Sequence, residues 1–334
     1  MNNIRNVGDM AQSLILSRQN ATLKQAMKNL STEVTTGLAT DTTARVKGDY
    51  APLAGIESSL TQLESYRRVT SETAATAGIM QTALGHIATN ARDLGSALIA
   101  AATSNSPARI NTLGTDATQK LQSALSALNT RIGDRSVFAG VATDHAAVSD
   151  AETMMSALDT AVSGAISSAD VQTAVDAWFA DPTGFAATVY QGGAALSPVP
   201  VGPDEQVKLD VTALDPAVVE TLKGLAMTSL LDRGTLAGSD VARADLAKRA
   251  GESLLSSATA RAELSARLGT VEAGIAEAAQ RNDSEKSALE TARLGLLSVD
   301  PFETATKLQQ TEMQLQTLYS ITARMQRLSL VDYL

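Results

Sequence analysis

Asp300-Pro301-Phe302-Glu303-Thr304-Ala305-Thr306-Lys307-Leu308 opens a stretch that runs through Leu315, Leu318 and Met325 to Leu328. Its reading decides the fold. Asp300 is placed to cap a helix, Pro301 suits the first helical position, and Glu303 completes a capping box. Leu308, Leu315, Leu318, Met325 and Leu328 then recur at intervals of seven and three, the seam of a helix that packs along another. The seam runs almost to Leu334, although chain ends commonly fray unless something covers them.

The opposite end of the chain carries a matching seam. Leu23, Met27, Leu30 and Val34 are spaced by 4, 3 and 4, and Gly37 ends the pattern. Thr40 to Thr43 reads as a loop. From Pro52 a long helix is predicted, with Met80, Leu84, Ile87, Ala91, Leu94 and Leu98 again alternating by 4 and 3. At about 1.5 Å per residue such a helix reaches about 75 Å, more than the diameter of a small globule. Ser106-Pro107 starts a third helix, with Ile110, Leu113, Ala117, Leu121, Leu128 and Ile132 on one side and Gly133 as its stop. Another long helix begins near Val241. Its seam, Leu264 to Leu289, admits Asn282 and Glu285, which should loosen it locally.

The middle is different in kind. Residues 141–222 hold twelve acidic side chains and one basic, Lys208, a net −11 within a chain of net charge −9. The remainder therefore sums to +2, and the break in charge marks a boundary. Short helices are predicted over 150–165 and 170–180, and short strands over 187–190, 196–201 and 206–211. Trp178, Phe179, Phe185 and Tyr190 are placed to form a small core. The expected organisation is an N-terminal helical half over 1–140, an acidic outward-facing insert over 141–222 and a C-terminal helical half over 223–334. The fold class is mainly α, a coiled-coil-like bundle of long terminal helices with a smaller α+β insert.

Composition fits thin helical layers. Aromatic residues make up 3% of the 334, and Ala and Leu allow close helix approach. Cysteine is absent, which excludes disulfides and thiolate metal sites. No apolar run is long enough for membrane insertion, and the start of the chain lacks the apolar core of a cleaved signal. The acidic middle disfavours nucleic acid. No phosphate-binding loop, zinc-protease or nucleophile-elbow motif is present. His86 reads as a helix-surface residue, and His145, near Asp144 and Asp150, as part of a solvated loop. No catalytic, cofactor or metal site is expected, and no cofactor.

Five segments carry a resemblance. Leu30-Ser31-Thr32-Glu33-Val34-Thr35-Thr36-Gly37 is similar to the helix end of the flagellin superfamily. Arg135-Ser136-Val137-Phe138-Ala139-Gly140 resembles the element that precedes its variable domain, and Val189-Tyr190-Gln191-Gly192 one of its turns. Val299 to Glu303 and Leu328 to Leu334 resemble its C-terminus, and the ending Gln326 to Leu334 favours its hook-associated members over flagellins. Residues 41–51 depart from the family's loop. The resemblance spans about two-thirds of the chain. It implies a non-enzymatic structural subunit of the bacterial flagellum, secreted by type III export without a cleaved signal, that joins hook to filament. Implied partners are further copies of the chain in a ring, an adjacent hook-associated protein, flagellin, and a cytoplasmic export chaperone on the C-terminal helix. The assembly interface would comprise Leu23, Met27, Leu30, Val34, Leu308, Leu315, Leu318, Met325 and Leu328. A filament-forming flagellin and a coiled-coil type III secretion adaptor are the alternatives.

Overall fold

A computed structural model describes residues 2–331, with side chains from Ala11 to Met325. The chain is mainly α. In order it forms α1 (Asn2–Thr36), α2 (Thr42–Arg45), α3 (Ala51–Thr103) and α4 (Pro107–Leu128), then the hairpin strands β1 (Arg131–Ile132) and β2 (Arg135–Ser136). There follow α5 (Ala151–Val162), α6 (Ser168–Ala180), α7 (Phe185–Thr188), β3 (Val199–Gly202) and β4 (Glu205–Val207). The last elements are α8 (Pro216–Asp232), α9 (Asp240–Ser256), α10 (Ala258–Leu297) and α11 (Pro301–Val331). Each pair of strands is an isolated antiparallel ribbon.

Contacts divide the chain into a terminal unit, residues 1–63 with 284–334, and a central unit, residues 64–283. The boundaries therefore fall away from the charge break at 141 and 222. Packing explains the difference. Met154, Leu158, Val171, Val175 and Phe185 of the acidic segment bury into the same cluster as Leu94, Leu121, Leu225 and Leu254. The segment shares a core with its flanking helices, and its acidity is a property of its surface.

The central unit is built around α8, which packs on α4 and α9. Leu222, Leu225 and Leu230 are fully buried and so are Thr221 and Ser229, so α8 is covered on nearly every side. The buried hydroxyls donate to carbonyls one turn back, Thr221 to Ala217 and Ser229 to Leu225. Close approach needs small residues. At Gly224 an added Cβ would meet the Leu254 side chain at 2.6 Å. Trp178, Phe179 and Phe185 form an aromatic trio with centroids 5.0, 5.3 and 6.4 Å apart. Tyr190 stands apart and donates its hydroxyl to the Gly193 carbonyl at 2.7 Å.

Several local expectations are corrected. Ile132 is not helical: α4 stops at Leu128, where Asn129 exchanges two hydrogen bonds with the Val148 backbone at 2.8 and 2.9 Å. Gly133, at φ +56, turns the β1–β2 hairpin. Residues 187–190 form no strand; a turn in which Asp181 accepts from the Thr183 backbone leads into α7, and Tyr190 makes a lone bridge to Val148. The alternation over 206–211 is real, since Leu209 and Val211 are buried, but only Glu205–Val207 has a strand partner. Asn282 does not loosen its surroundings: it is buried and donates to the Val201 carbonyl at 2.8 Å, holding the β3–β4 hairpin. Thr42 and Thr43 begin α2, capped by Asp41 at 3.0 Å. The helix expected from Val241 is broken at Ser257, between α9 and α10.

Candidate assembly surface

The terminal unit is organised by two helices that lie far apart in sequence. α1 ends where Gly37 takes φ +71 and its amide bonds to the Glu33 carbonyl at 2.8 Å. Only a residue without a Cβ takes that conformation at no steric cost. The Glu33 carboxylate then accepts from the Thr40 amide and hydroxyl at 2.8 and 2.7 Å, fixing the exit of the chain. α11 starts at Pro301, where Asp300 Oδ1 accepts from the amides of Phe302 and Glu303 at 2.8 and 3.2 Å. An acidic cap also complements the positive end of the helix dipole.

A short bridge joins these two ends. The Ala39 amide bonds to the Leu297 carbonyl at 2.9 Å, and the Val299 amide to the Gly37 carbonyl at 3.0 Å. Arg45 Nε donates to the Leu296 carbonyl at 3.1 Å. The clamp sets α1 against α11 in antiparallel register. Farther along the pair, Lys24 Nζ lies 5.9 Å from the centre of the Tyr319 ring, a cation–π contact. Lys307 pairs with Glu303 at 2.7 Å, one turn apart, and this partner raises its pKa.

The predicted interface residues are placed as follows. Leu23, Met27 and Leu30 on α1 and Leu308, Leu315 and Met325 on α11 are half-buried, and Leu318 is buried. Val34 is exposed, and Glu33 turns inward in its place. The side chain of Leu328 lies outside the described residues. On α11 the inner line is Thr304, Leu308, Thr311, Leu315, Leu318, Thr322 and Met325, every one buried or half-buried. The three threonines were missed because only apolar types were counted. Their 4-3 spacing was the available signal. Each donates its hydroxyl to its own helix, to the carbonyls of Asp300, Lys307 and Leu318, so each presents a methyl group to the seam.

One helix does not cover the other. Leu14, Ile15, Met313, Tyr319 and Ile321 remain exposed, and a cleft of about 770 Å³ opens between α1 and α11. Ile15, Leu23, Met313, Leu318 and Ile321 line it, with glutamines along the rim. An apolar floor with a mostly uncharged polar rim, to which Arg18 adds a cation, suits a further amphipathic helix. Reactive chemistry has no comparable arrangement among the described residues. Among the described residues, no group of three or more His, Asp or Glu side chains is placed to hold a metal ion. His145 is exposed beside Asp144 at 3.4 Å, and His86 is exposed on α3. No described helix is long and apolar enough to cross a membrane.

Comparison with known proteins places this geometry. Residues 254–334 match the family model of the bacterial flagellin C-terminal helical region. That match spans the end of α9, α10 and α11. The fold is similar to that of a putative flagellar hook-associated protein from Vibrio parahaemolyticus, at a TM-score of 0.51 and 13% identity, covering 72% of this chain and 94% of that one. No curated protein sequence matches the chain.

Proposed function

We propose that this chain, with a flagellin C-terminal helical region on the fold of a flagellar hook-associated protein, is a structural subunit that joins the flagellar hook to the filament. One observation carries the reading: the antiparallel α1–α11 pair is fixed at one end by a backbone clamp, yet keeps an apolar cleft open along its length. A helix pair of that kind is complete only when neighbours supply the missing side. Copies of the same chain, arranged as a ring through these helices, supply it here, with an adjacent hook-associated protein on one side and flagellin on the other. The central unit carries the acidic segment outward. Before export, a cytoplasmic chaperone covers α11 around Leu315, Leu318 and Met325. The role is non-enzymatic, and the chain is extracellular once secreted.

Deletion in the source bacterium tests the reading. Loss of a junction subunit leaves hooks without filaments and spills flagellin monomers into the medium. Intact filaments, or loss of one secreted protein with normal hooks and filaments, would overturn it. The second outcome would make the chain one filament protein among several.

A further inference from the structure

In the central unit, most cations that leave solvent find carboxylates. Arg233 bonds to Glu152 and Asp159 at 3.0 and 2.6 Å, and Lys223 lies between Asp176 and Glu220 at 2.9 and 2.7 Å. Two arginines, each 9% exposed, have no carboxylate contact among the described residues. Arg243 is accounted for by its position. It donates to the carbonyls of Leu231 and Thr235 at 2.8 Å, at the C-terminal end of α8, where the helix dipole is negative.

Arg261 is compensated less fully. It sits at the Ser257 break, where the negative end of α9 meets the positive end of α10, so the two dipoles oppose each other. Its Nη1 donates to Ser257 Oγ and to Thr221 Oγ1, the latter at 3.3 Å, and its Nη2 to the Leu254 carbonyl at 3.0 Å. A guanidinium carries five N–H groups. Nε–H and one Nη2–H therefore have no acceptor among the described residues. Burial lowers its pKa, and the one charge acting on it, Arg92, lowers it further. A cavity of about 40 Å³ adjoins it, lined by Leu84, Ile87, Val218, Thr221, Leu264 and Ser265 beside Arg261 itself. Ser265 already accepts from Gln81 Nε2, which leaves its O–H free to donate. Gln81 Oε1, buried with no partner, adds one acceptor beside these donors, and the charge at the site, from Arg261 and Arg92, is positive. A water-sized occupant needs only about 10–15 Å³.

We propose that this cavity binds one monovalent anion of chloride size, held by Arg261 and Ser265, and that the anion fastens the α9–α10 break against α3 and α8. Buried charge is otherwise unfavourable unless paired.

Bromide soaked into crystals of the full chain, with anomalous scattering at its absorption edge, tests this directly. The expected result is a peak within hydrogen-bond reach of the Arg261 guanidinium and Ser265 Oγ. Water density with no anomalous peak would overturn the proposal. A second measurement is thermal unfolding at fixed ionic strength, with sodium gluconate replaced by sodium chloride. At tenfold excess over its dissociation constant, chloride should raise the midpoint by roughly 3–6 °C. The rise should vanish in Arg261→Met. An equal rise in that variant would mean a general salt effect and would also overturn the proposal. If the variant fails to fold, the bromide result on the natural chain decides alone.

Discussion

The terminal and central units use the same helical periodicity to opposite ends. In the central unit the seam residues Met80, Ile87, Leu94, Leu98, Leu121 and Leu128 are at most 2% exposed, and helices close over them on several sides. In the terminal unit the seam residues Leu23, Met27, Leu30, Leu308 and Leu315 stay half-buried, and Ile15 and Ile321 stand 56% and 44% exposed. Periodicity reports that a helix has an apolar face. It does not report whether the same chain supplies the cover. A two-helix pair hides one stripe of each partner, and most helical stability comes from packing. The central unit should therefore hold the stability of the free chain, and the terminal unit the capacity to assemble.

Breaking the central core should have the largest effect. Phe138→Ala, at a fully buried position, should cost about 3–5 kcal/mol and lower the unfolding midpoint by roughly 6–20 °C, measured by calorimetry. A smaller loss would mean that the central unit is less dominant than its burial implies. The same kind of insult in the terminal unit should separate folding from assembly. Leu318→Asp puts a charge into a seam position 7% exposed. It should weaken the α1–α11 pair by several kcal/mol and abolish assembly, while the calorimetric transition of the central unit stays within about 1 °C. Normal assembly of this variant would break the comparison.

A finer test uses the cleft. Ile321→Asn alters a side chain already 44% exposed, so monomer stability should change by no more than about 0.5 kcal/mol. Self-association, followed by sedimentation, should nevertheless weaken measurably. Limited proteolysis of the same monomer should cut first between Ala11 and Thr36 and between Thr304 and Met325. Even protection along the chain would mean that the terminal pair is already complete, and would favour a self-contained adaptor.

The smallest effect concerns acid. Asp150 and Asp181 cap or turn their segments by accepting from the backbone amides of Thr153 and Thr183, and Asp170 accepts from the Ser167 hydroxyl. Each is held below its ordinary pKa of 3.8. A lowered folded-state pKa gives stability that is whole above pH 3.8 and is lost as pH falls through the lowered values. Hydrogen exchange should therefore quicken first at the N-terminal turns of α5 and α6 below pH 3.8. Uniform quickening over the central unit would instead point to global acid unfolding.

The sequence was informative wherever one residue had one local job. Pro52, Pro107, Pro216 and Pro301 lie at the first or second position of α3, α4, α8 and α11, and Gly37 closes α1. It was less informative where a distant partner decides the outcome. Leu209 and Val211 alternate as in a strand but turn into a core with no ladder beside them. Asn282 looked like a flaw in a seam until the Val201 carbonyl appeared opposite it. The candidate surface was read partly for the same reason. Leucines marked the inner face of α11, while Thr304, Thr311 and Thr322 pass as polar until their hydroxyls are seen turned back onto the helix. Charge and contact draw different boundaries, because charge reports surface, whereas the division into units follows packing.

The antiparallel pairing of α1 with α11 also sets a schedule. Among the described helices, α1 is made before the others and its partner α11 after them. Everything from Gly37 to Asp300 must be made between them. At about 5–20 residues per second, α1 waits on the order of tens of seconds for α11 to exist. The backbone clamp from Ala39 to Leu297 and from Val299 to Gly37 can close only once Val299 is made, and the contacts along α11, such as Lys24 with Tyr319, close later still. For a subunit of the proposed kind, which must not polymerise while it is being made, that delay is an advantage, because the cleft between α1 and α11 exists only after α11 has been made.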